Sequence, residues 1–171
     1  IQNEYFRLVF AGGTCLAKAH RIVDRMSEDI DFKIQIQNNQ TFSRSRLIKE
    51  LKEFRTQIKS SLVVPGLTTS EDATRNEGKY QRVILQYPYT YPISRTLRPE
   101  LLLEFTLSDI RLSVEDLSVK TIIEDVLKET TLFTTTQTPC IYVDETAIEK
   151  WVGLTRRIIA IERGTIQMTK H

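Results

Sequence analysis

The sequence is poor in the residues that build metal sites and disulfide frameworks. Its 171 residues include two cysteines, two histidines and one tryptophan. Cys15 and Cys140 lie far apart in the chain, and neither has metal-ligand spacing to His20 or His171. These shortages argue against a zinc site or a disulfide framework, and they favour a reducing, cytoplasmic setting.

Long apolar runs are also missing. No stretch approaches the ~18 residues of a membrane-spanning helix, so we expect no membrane contact. The first residues lack the basic start and long apolar run of a signal peptide. The sequence opens at Ile1 without an initiator methionine, and we expect it to be part of a longer protein.

What is present is the composition of a globular protein, with 40% hydrophobic residues, 27% charged residues and a formal net charge of +2. The charge is unevenly distributed. Residues 150–171 contain five basic residues and one acidic residue. This basic segment is either a solvated helix face or a surface for phosphates or RNA.

Hydrophobic periodicity predicts an α+β fold, with a mixed or antiparallel sheet flanked by helices. Residues 79–87 and 100–107 could pair as an antiparallel hairpin, and residues 65–78 are expected to form a loop. The predicted strands are residues 5–10, 29–36, 79–87, 100–107 and 140–143, and the predicted helices are residues 14–23, 42–62, 119–129 and 145–162.

The polar stretch at residues 130–139 is the candidate domain boundary. It would separate a core of residues 1–130 from residues 131–171. We expect the second segment to be the start of a helical C-terminal region that continues beyond this chain.

Two aspartates stand out on the strand predicted at residues 29–36. Asp29 and Asp31 are two residues apart, so both carboxylates leave the same face, about 7 Å apart along the backbone. Such a pair suits divalent cations that bind the phosphates of a nucleotide. The plainer interpretation is two solvent-facing residues of an edge strand.

A glycine turn precedes this strand. Gly12-Gly13-Thr14 lies between a predicted strand and a predicted helix that Thr14 could cap. Glycines allow close approach of the backbone to a ligand, and a helix N-terminus attracts phosphate. A simple tight turn explains the same residues. The segment has neither the G-K-[ST] of a P-loop nor a G-x-G-x-x-G fingerprint.

In this order, the strand, glycine turn, helix and aspartate-bearing strand resemble the polymerase-β-like nucleotidyltransferase superfamily. Within it, "FAGGTCLAKAH", "DRMSEDIDF" and "AIEKWVGLTRR" resemble the AbiEii/AbiGii toxin family. The resemblance implies that superfamily's fold with a helical C-terminal part. It also implies Mg²⁺-dependent transfer of a nucleoside monophosphate from a nucleoside triphosphate (NTP), as the toxin of a toxin–antitoxin or phage-defence system.

The resemblance also assigns roles to residues. Asp29 and Asp31 would be catalytic metal ligands, and Glu104 in "LLLEFTL" would be the third carboxylate. Lys150 would act in the nucleotide site, where a cation can also neutralise triphosphate charge on physical grounds alone. Glu104 and Lys150 could equally be ordinary exposed residues. The candidate nucleotide-binding residues are Gly12, Gly13, Thr14, Lys18, Ser27 and Arg157, of which Lys18 could instead be solvated and Ser27 could only cap a turn.

The acceptor and partners remain open at this point. The resemblance and the basic C-terminal segment favour RNA, including the tRNA acceptor end, and an antitoxin protein. An antibiotic-type transfer to a small molecule is the alternative. A non-catalytic nucleotide-binding module is a further one, because the family's later aspartate has no counterpart after Glu162.

Overall fold

The structure is a computed structural model that describes residues 1–24, 27–38, 40–89, 99–121, 124 and 136–165. Seven strands and three α-helices lie within this part of the chain. The strands are β1 (Phe6–Ala11), β2 (Asp29–Ile36), β3 (Thr68–Arg75), β4 (Tyr80–Gln86), β5 (Glu100–Leu107), β6 (Glu115–Val119) and β7 (Thr136–Cys140), and the helices are α1 (Gly12–Lys18), α2 (Arg44–Ser61) and α3 (Val143–Glu162).

The strands form one mixed sheet in the order β3-β4-β5-β2-β1-β7-β6. β2 is antiparallel to β1 and parallel to β5, and β4 is antiparallel to β5 as predicted. β2 and β5 therefore lie in the interior of the sheet, which rules out the edge-strand interpretation for the two aspartates. The α+β class is confirmed.

Helix α2 covers one face of the sheet. Its apolar residues recur at helical spacing, and Leu51, Phe54 and Ile58 are fully buried. They pack in one cluster with Ile34 of β2 and Phe105 of β5. Because side chains alternate along a strand, the polar residues between these core positions point to the opposite face.

A second apolar cluster lies beside the glycine turn. It brings Cys15 of α1 against Cys140 and Ile141 at the end of β7, with Val9 and Phe10 of β1. The two cysteines are free thiols, and the Cys140 thiol donates a hydrogen bond to the Thr138 carbonyl. This cluster holds α1 and the start of α3 at the same end of the sheet.

Several predicted boundaries are wrong. Residues 68–75 form strand β3 instead of a loop, because this polar edge strand is held by backbone pairing with β4 and lacks an apolar face. Strand β7 ends at Cys140, where the sequence pattern predicted the strand to begin. Helix α1 ends at Lys18 rather than at residue 23.

Both helix starts near the site also differ from prediction. Helix α1 begins at Gly12 with Ala11 as its N-cap, and Thr14 does not cap it. Helix α3 begins at Val143 rather than at residue 145, and Tyr142 is its N-cap. The predicted helix at residues 119–129 falls mostly outside the described residues, as does the predicted boundary between residues 130 and 131. None of the helices within the described ranges is long and apolar enough to cross a membrane.

Candidate functional site

Sheet register brings two carboxylates together. Asp31 on β2 pairs with Glu104 on the parallel strand β5, and with Ala11 on the antiparallel strand β1. Paired residues of neighbouring strands point to the same face. Asp31 and Glu104 are therefore neighbours on the face that α2 leaves uncovered.

The glycine turn closes over Asp31. Gly12 has φ +73°, a left-handed conformation that favours glycine, and a Cβ added there would overlap the Asp31 carboxylate. The glycine thus provides both the turn out of β1 and the space for the acid. This close approach joins the glycine turn and the aspartate-bearing strand β2 into one site.

The environment of Asp31 disfavours its ionised form. Burial raises the pKa of the Asp31 carboxyl, and the nearby charges of Glu104 and Asp29 raise this pKa further. Lys150 and Lys33 act in the opposite direction. The Asp31 carboxyl thus lies close enough to two other acids and two lysines for their charges to act on it.

Glu104 has a second neighbour on strand β4. The Tyr80 hydroxyl donates a hydrogen bond of 2.5 Å to the Glu104 carboxylate. Burial and this hydrogen bond raise the pKa of Tyr80 to about 12, so the hydroxyl keeps its proton at neutral pH. Tyr80 therefore orients one carboxylate oxygen of Glu104.

A cavity of about 340 Å³ lies above the two carboxylates. Helix α3 forms the opposite wall with Thr146 and, one turn later on the same side of the helix, Glu149 and Lys150. The complete lining is Ala11, Gly12, Asp31, Phe32, Lys33, Glu104, Thr106, Ser108, Thr146, Glu149 and Lys150.

Two polar contacts fix α3 on the sheet. The Glu145 carboxylate is buried and accepts hydrogen bonds from the backbone N–H groups of Arg111 (3.1 Å) and Leu112 (2.7 Å). One turn later, Lys33 of β2 forms an ion pair with Glu149. Burying both Glu145 and Lys33 is costly unless each is paired, so these contacts favour one position of the helix.

The site brings together only some of the predicted residues. Gly12, Asp31, Glu104 and Lys150 line the cavity, and Asp29 lies two residues before Asp31 on the same strand face. Within the described part of the chain, the remaining candidates do not line it. These are Gly13, Thr14, Lys18, Ser27 and Arg157.

These five residues lie elsewhere in the structure. Gly13 is buried inside α1, and Thr14 donates its hydroxyl hydrogen to the backbone carbonyl of Asp29, which ties α1 to the start of β2. Lys18 ends α1. Ser27 is half-buried before β2, and Arg157 is exposed seven residues beyond Lys150, about 10 Å farther along the helix axis.

The donor set suits a magnesium ion. No group of three or more histidine, cysteine or acidic side chains in the described ranges is arranged to hold a metal by itself. Mg²⁺, however, is commonly bound by one or two carboxylates, with substrate phosphates and water completing the shell. The Asp31–Glu104 pair fits that chemistry, since a cation would offset both the burial and the carboxylate repulsion that raise the pKa of Asp31.

Sequence reasoning missed several residues of the site, among them Lys33, Tyr80, Thr146 and Glu149. Strand alternation places Lys33 on the same face as Asp31, and helical spacing places Thr146 one turn before Lys150. Both signals were available in the sequence. Tyr80 and Glu149 depend on strand pairing and helix docking, which have no local signal.

Comparison with known proteins identifies the family. A family model described as "Nucleotidyl transferase AbiEii toxin, Type IV TA system" matches residues 4–163. The chain belongs to the AbiEii family. This confirms the resemblance drawn from the glycine turn and the aspartate strand of the sequence.

One solved structure also has a similar fold. MenT4, a nucleotidyltransferase toxin from Mycobacterium tuberculosis H37Rv, matches with a TM-score of 0.55 and 21% sequence identity. The match covers 88% of this chain and 46% of the MenT4 chain, so this chain spans less than half of that protein's length. At this identity the likeness establishes the fold. No curated protein matches the chain.

Proposed function

We propose that this AbiEii-family protein transfers a nucleoside monophosphate from an NTP to an acceptor and releases pyrophosphate. One arrangement supports the proposal. Asp31 pairs with Glu104 in the sheet and packs against Gly12, and Lys150 lies on the other side of the same cavity. This chemistry requires acidic residues that bind a cation. It also requires a cationic residue, such as a lysine, that binds phosphate.

The acids would hold magnesium. Asp31 and Glu104, with Asp29 beside them, would bind Mg²⁺ that neutralises phosphate charge and lowers the pKa of the attacking hydroxyl. Tyr80 keeps one Glu104 oxygen oriented through its hydrogen bond. Gly12 keeps the backbone clear of the Asp31 carboxylate.

The lysine and the fixed helix would orient the triphosphate. The Lys150 ammonium lies close enough to Asp31 to influence its pKa, and it extends from a helix that Glu145 and Lys33 hold on the sheet. A cation held in this way stabilises phosphate charge without reorganisation during the reaction. Lys150 therefore serves as the phosphate-binding residue.

We propose RNA as the acceptor, with the tRNA acceptor end as the first candidate. Arg156 and Arg157 on α3, and Arg163 directly after it, are exposed beyond the cavity, where they can contact an RNA backbone. The toxin description of the family supports an antitoxin partner. The reaction would take place in the cytoplasm, where NTPs and RNA are available.

The test is incorporation of label from each of the four α-labelled NTPs by the full-length protein. We expect Mg²⁺-dependent label in pooled tRNA, loss of this label with EDTA, and its recovery when Mg²⁺ is restored. Label confined to a metabolite extract would replace RNA with a small-molecule acceptor. NTP binding without label in either fraction would contradict catalysis.

Replacement of Lys150 tests the phosphate contact. Lys150→Ala should weaken NTP binding by about 1–3 kcal/mol, since it removes a charged hydrogen-bond donor. Isothermal titration calorimetry measures the change.

Lys49→Ala is the matched control, because Lys49 is an exposed lysine on α2, which covers the opposite face of the sheet. We expect it to bind NTP like the wild type. Equal losses in the two variants would mean that Lys150 contributes only general positive charge.

A further inference from the structure

The side chain of Thr146 is buried in the wall of the cavity, and its hydroxyl has no hydrogen-bond partner among the described residues. The residue is 3% exposed. A buried hydroxyl without a partner costs roughly 1–3 kcal/mol. Such a cost in a cavity wall indicates that a ligand supplies the missing partner.

Two other helical threonines bond within their own helix, although both are exposed. Thr56 of α2 and Thr155 of α3 donate to the carbonyl four residues earlier, at 3.0 Å and 2.9 Å. Thr146 makes no such bond, although the Tyr142 carbonyl lies in the equivalent position and accepts the Thr146 backbone N–H at 3.3 Å. The hydroxyl thus lacks the partner that is usual in helices.

The helix cannot rotate to bring this hydroxyl to solvent. Glu145, the preceding residue, is held by the backbone N–H groups of Arg111 and Leu112. Glu149, in the next turn, is held by Lys33. Because both neighbours are fixed, Thr146 is held in the cavity wall.

The surroundings indicate which ligand group the hydroxyl meets. Thr146 and Lys150 are four residues apart on one helix side, about 6 Å along the axis, and both line the cavity. A hydroxyl donor and an ammonium donor at this spacing suit the oxygens of one polyphosphate chain. The acids Asp31 and Glu104 lie on the opposite wall, where they suit a cation instead.

We propose that Thr146 donates a hydrogen bond to the phosphate chain of the NTP and thereby acts as a second phosphate-binding residue beside Lys150. The inference rests on the proposed function for the identity of the substrate. It adds a residue that neither the sequence pattern nor the family resemblance singles out.

Pyrophosphate with Mg²⁺ is the probe, because it carries the phosphate chain without a base. We expect Thr146→Val, which keeps the shape and removes the hydroxyl, to weaken pyrophosphate binding roughly tenfold in titration calorimetry. Thr155→Val is the matched control on the same helix, since Thr155 is exposed and bonded to its own helix. This control should bind like the wild type.

Stability separates a ligand contact from a structural role. Without ligand, Thr146→Val should unfold at the same temperature as the wild type or higher, because it removes an unpaired buried hydroxyl. A lower unfolding temperature with unchanged binding would assign the hydroxyl to the fold and overturn the proposal.

A second pair of variants isolates the same hydroxyl if Thr146→Val does not fold. Thr146→Ser and Thr146→Ala both lose the methyl group, and only Thr146→Ser keeps the hydroxyl. We expect Thr146→Ser to bind pyrophosphate several-fold more tightly than Thr146→Ala. Equal binding would overturn the proposal.

Transfer kinetics identify the source of the phosphate. With RNA as acceptor, Thr146→Val should raise the KM for the NTP and leave the KM for RNA unchanged. A rise in the KM for RNA, with an unchanged KM for the NTP, would overturn the assignment to the NTP. Wild-type protein that binds pyrophosphate through Thr146 but transfers no nucleotide would refute the proposed function and leave this inference intact.

Discussion

Replacing Asp31 with asparagine is expected to reduce nucleotide transfer by roughly a hundredfold to a thousandfold. An amide has nearly the same shape as the carboxylate, but it is a poor ligand for Mg²⁺ because it carries no charge. The measurement is kcat with α-labelled NTP and RNA. Asp116→Asn, at an exposed position of strand β6, is the control and should keep full activity.

The same variant should not lose stability. The pKa of Asp31 is raised in the folded protein, so its ionised form disfavours folding at every pH above that raised pKa. This destabilisation disappears only as the pH falls and the carboxyl is protonated. Asp31→Asn should therefore unfold at an equal or higher temperature at neutral pH. Substantial residual activity in a folded Asp31→Asn protein would refute the metal-binding role.

Gly12→Ala is the second change with a large expected effect. Its Cβ would overlap the Asp31 carboxylate, and the left-handed backbone at φ +73° would be strained by roughly 1–2 kcal/mol. The acid must move from its position beside Glu104, so we expect transfer to fall about a hundredfold, as with misplaced catalytic groups in general. Activity and thermal unfolding measure the two effects.

Gly153→Ala provides the control for this change. Gly153 lies inside helix α3, and a Cβ there would meet no atom within 4 Å. Alanine at this position should leave activity unchanged and should stabilise the helix by up to about 1 kcal/mol. If Gly12→Ala were as active as Gly153→Ala, the close packing of the glycine turn on Asp31 would have no functional importance.

The central strands were predictable because their patterns are strong. Strands β2 and β5 have the bounds that alternation predicted, Asp29–Ile36 and Glu100–Leu107. Buried apolar residues on one face, such as Ile34 and Phe105, leave only one face for the acids. The meeting of Asp31 and Glu104 still required the pairing of two strands that are far apart in the sequence.

What could not be predicted depends on long-range pairing. Strand β3 has no apolar face, and only its ladder with β4 makes it a strand. The ion pair of Lys33 with Glu149 joins β2 to a helix near the other end of the chain. No local pattern predicts that contact. The spacing of Thr146 from Lys150 was visible in the sequence, but its burial in the cavity wall depends on how α3 docks on the sheet.

The most direct test of the central claim compares NTP labelled at the α-phosphate with NTP labelled at the γ-phosphate. Transfer of a nucleoside monophosphate places the α label in the acceptor and releases the γ label as pyrophosphate. We predict this result for the full-length wild-type protein with Mg²⁺, and a loss of both products by roughly a hundredfold or more for Asp31→Asn. Appearance of the γ label in the acceptor, or α label in the acceptor at the wild-type level with Asp31→Asn, would contradict the account.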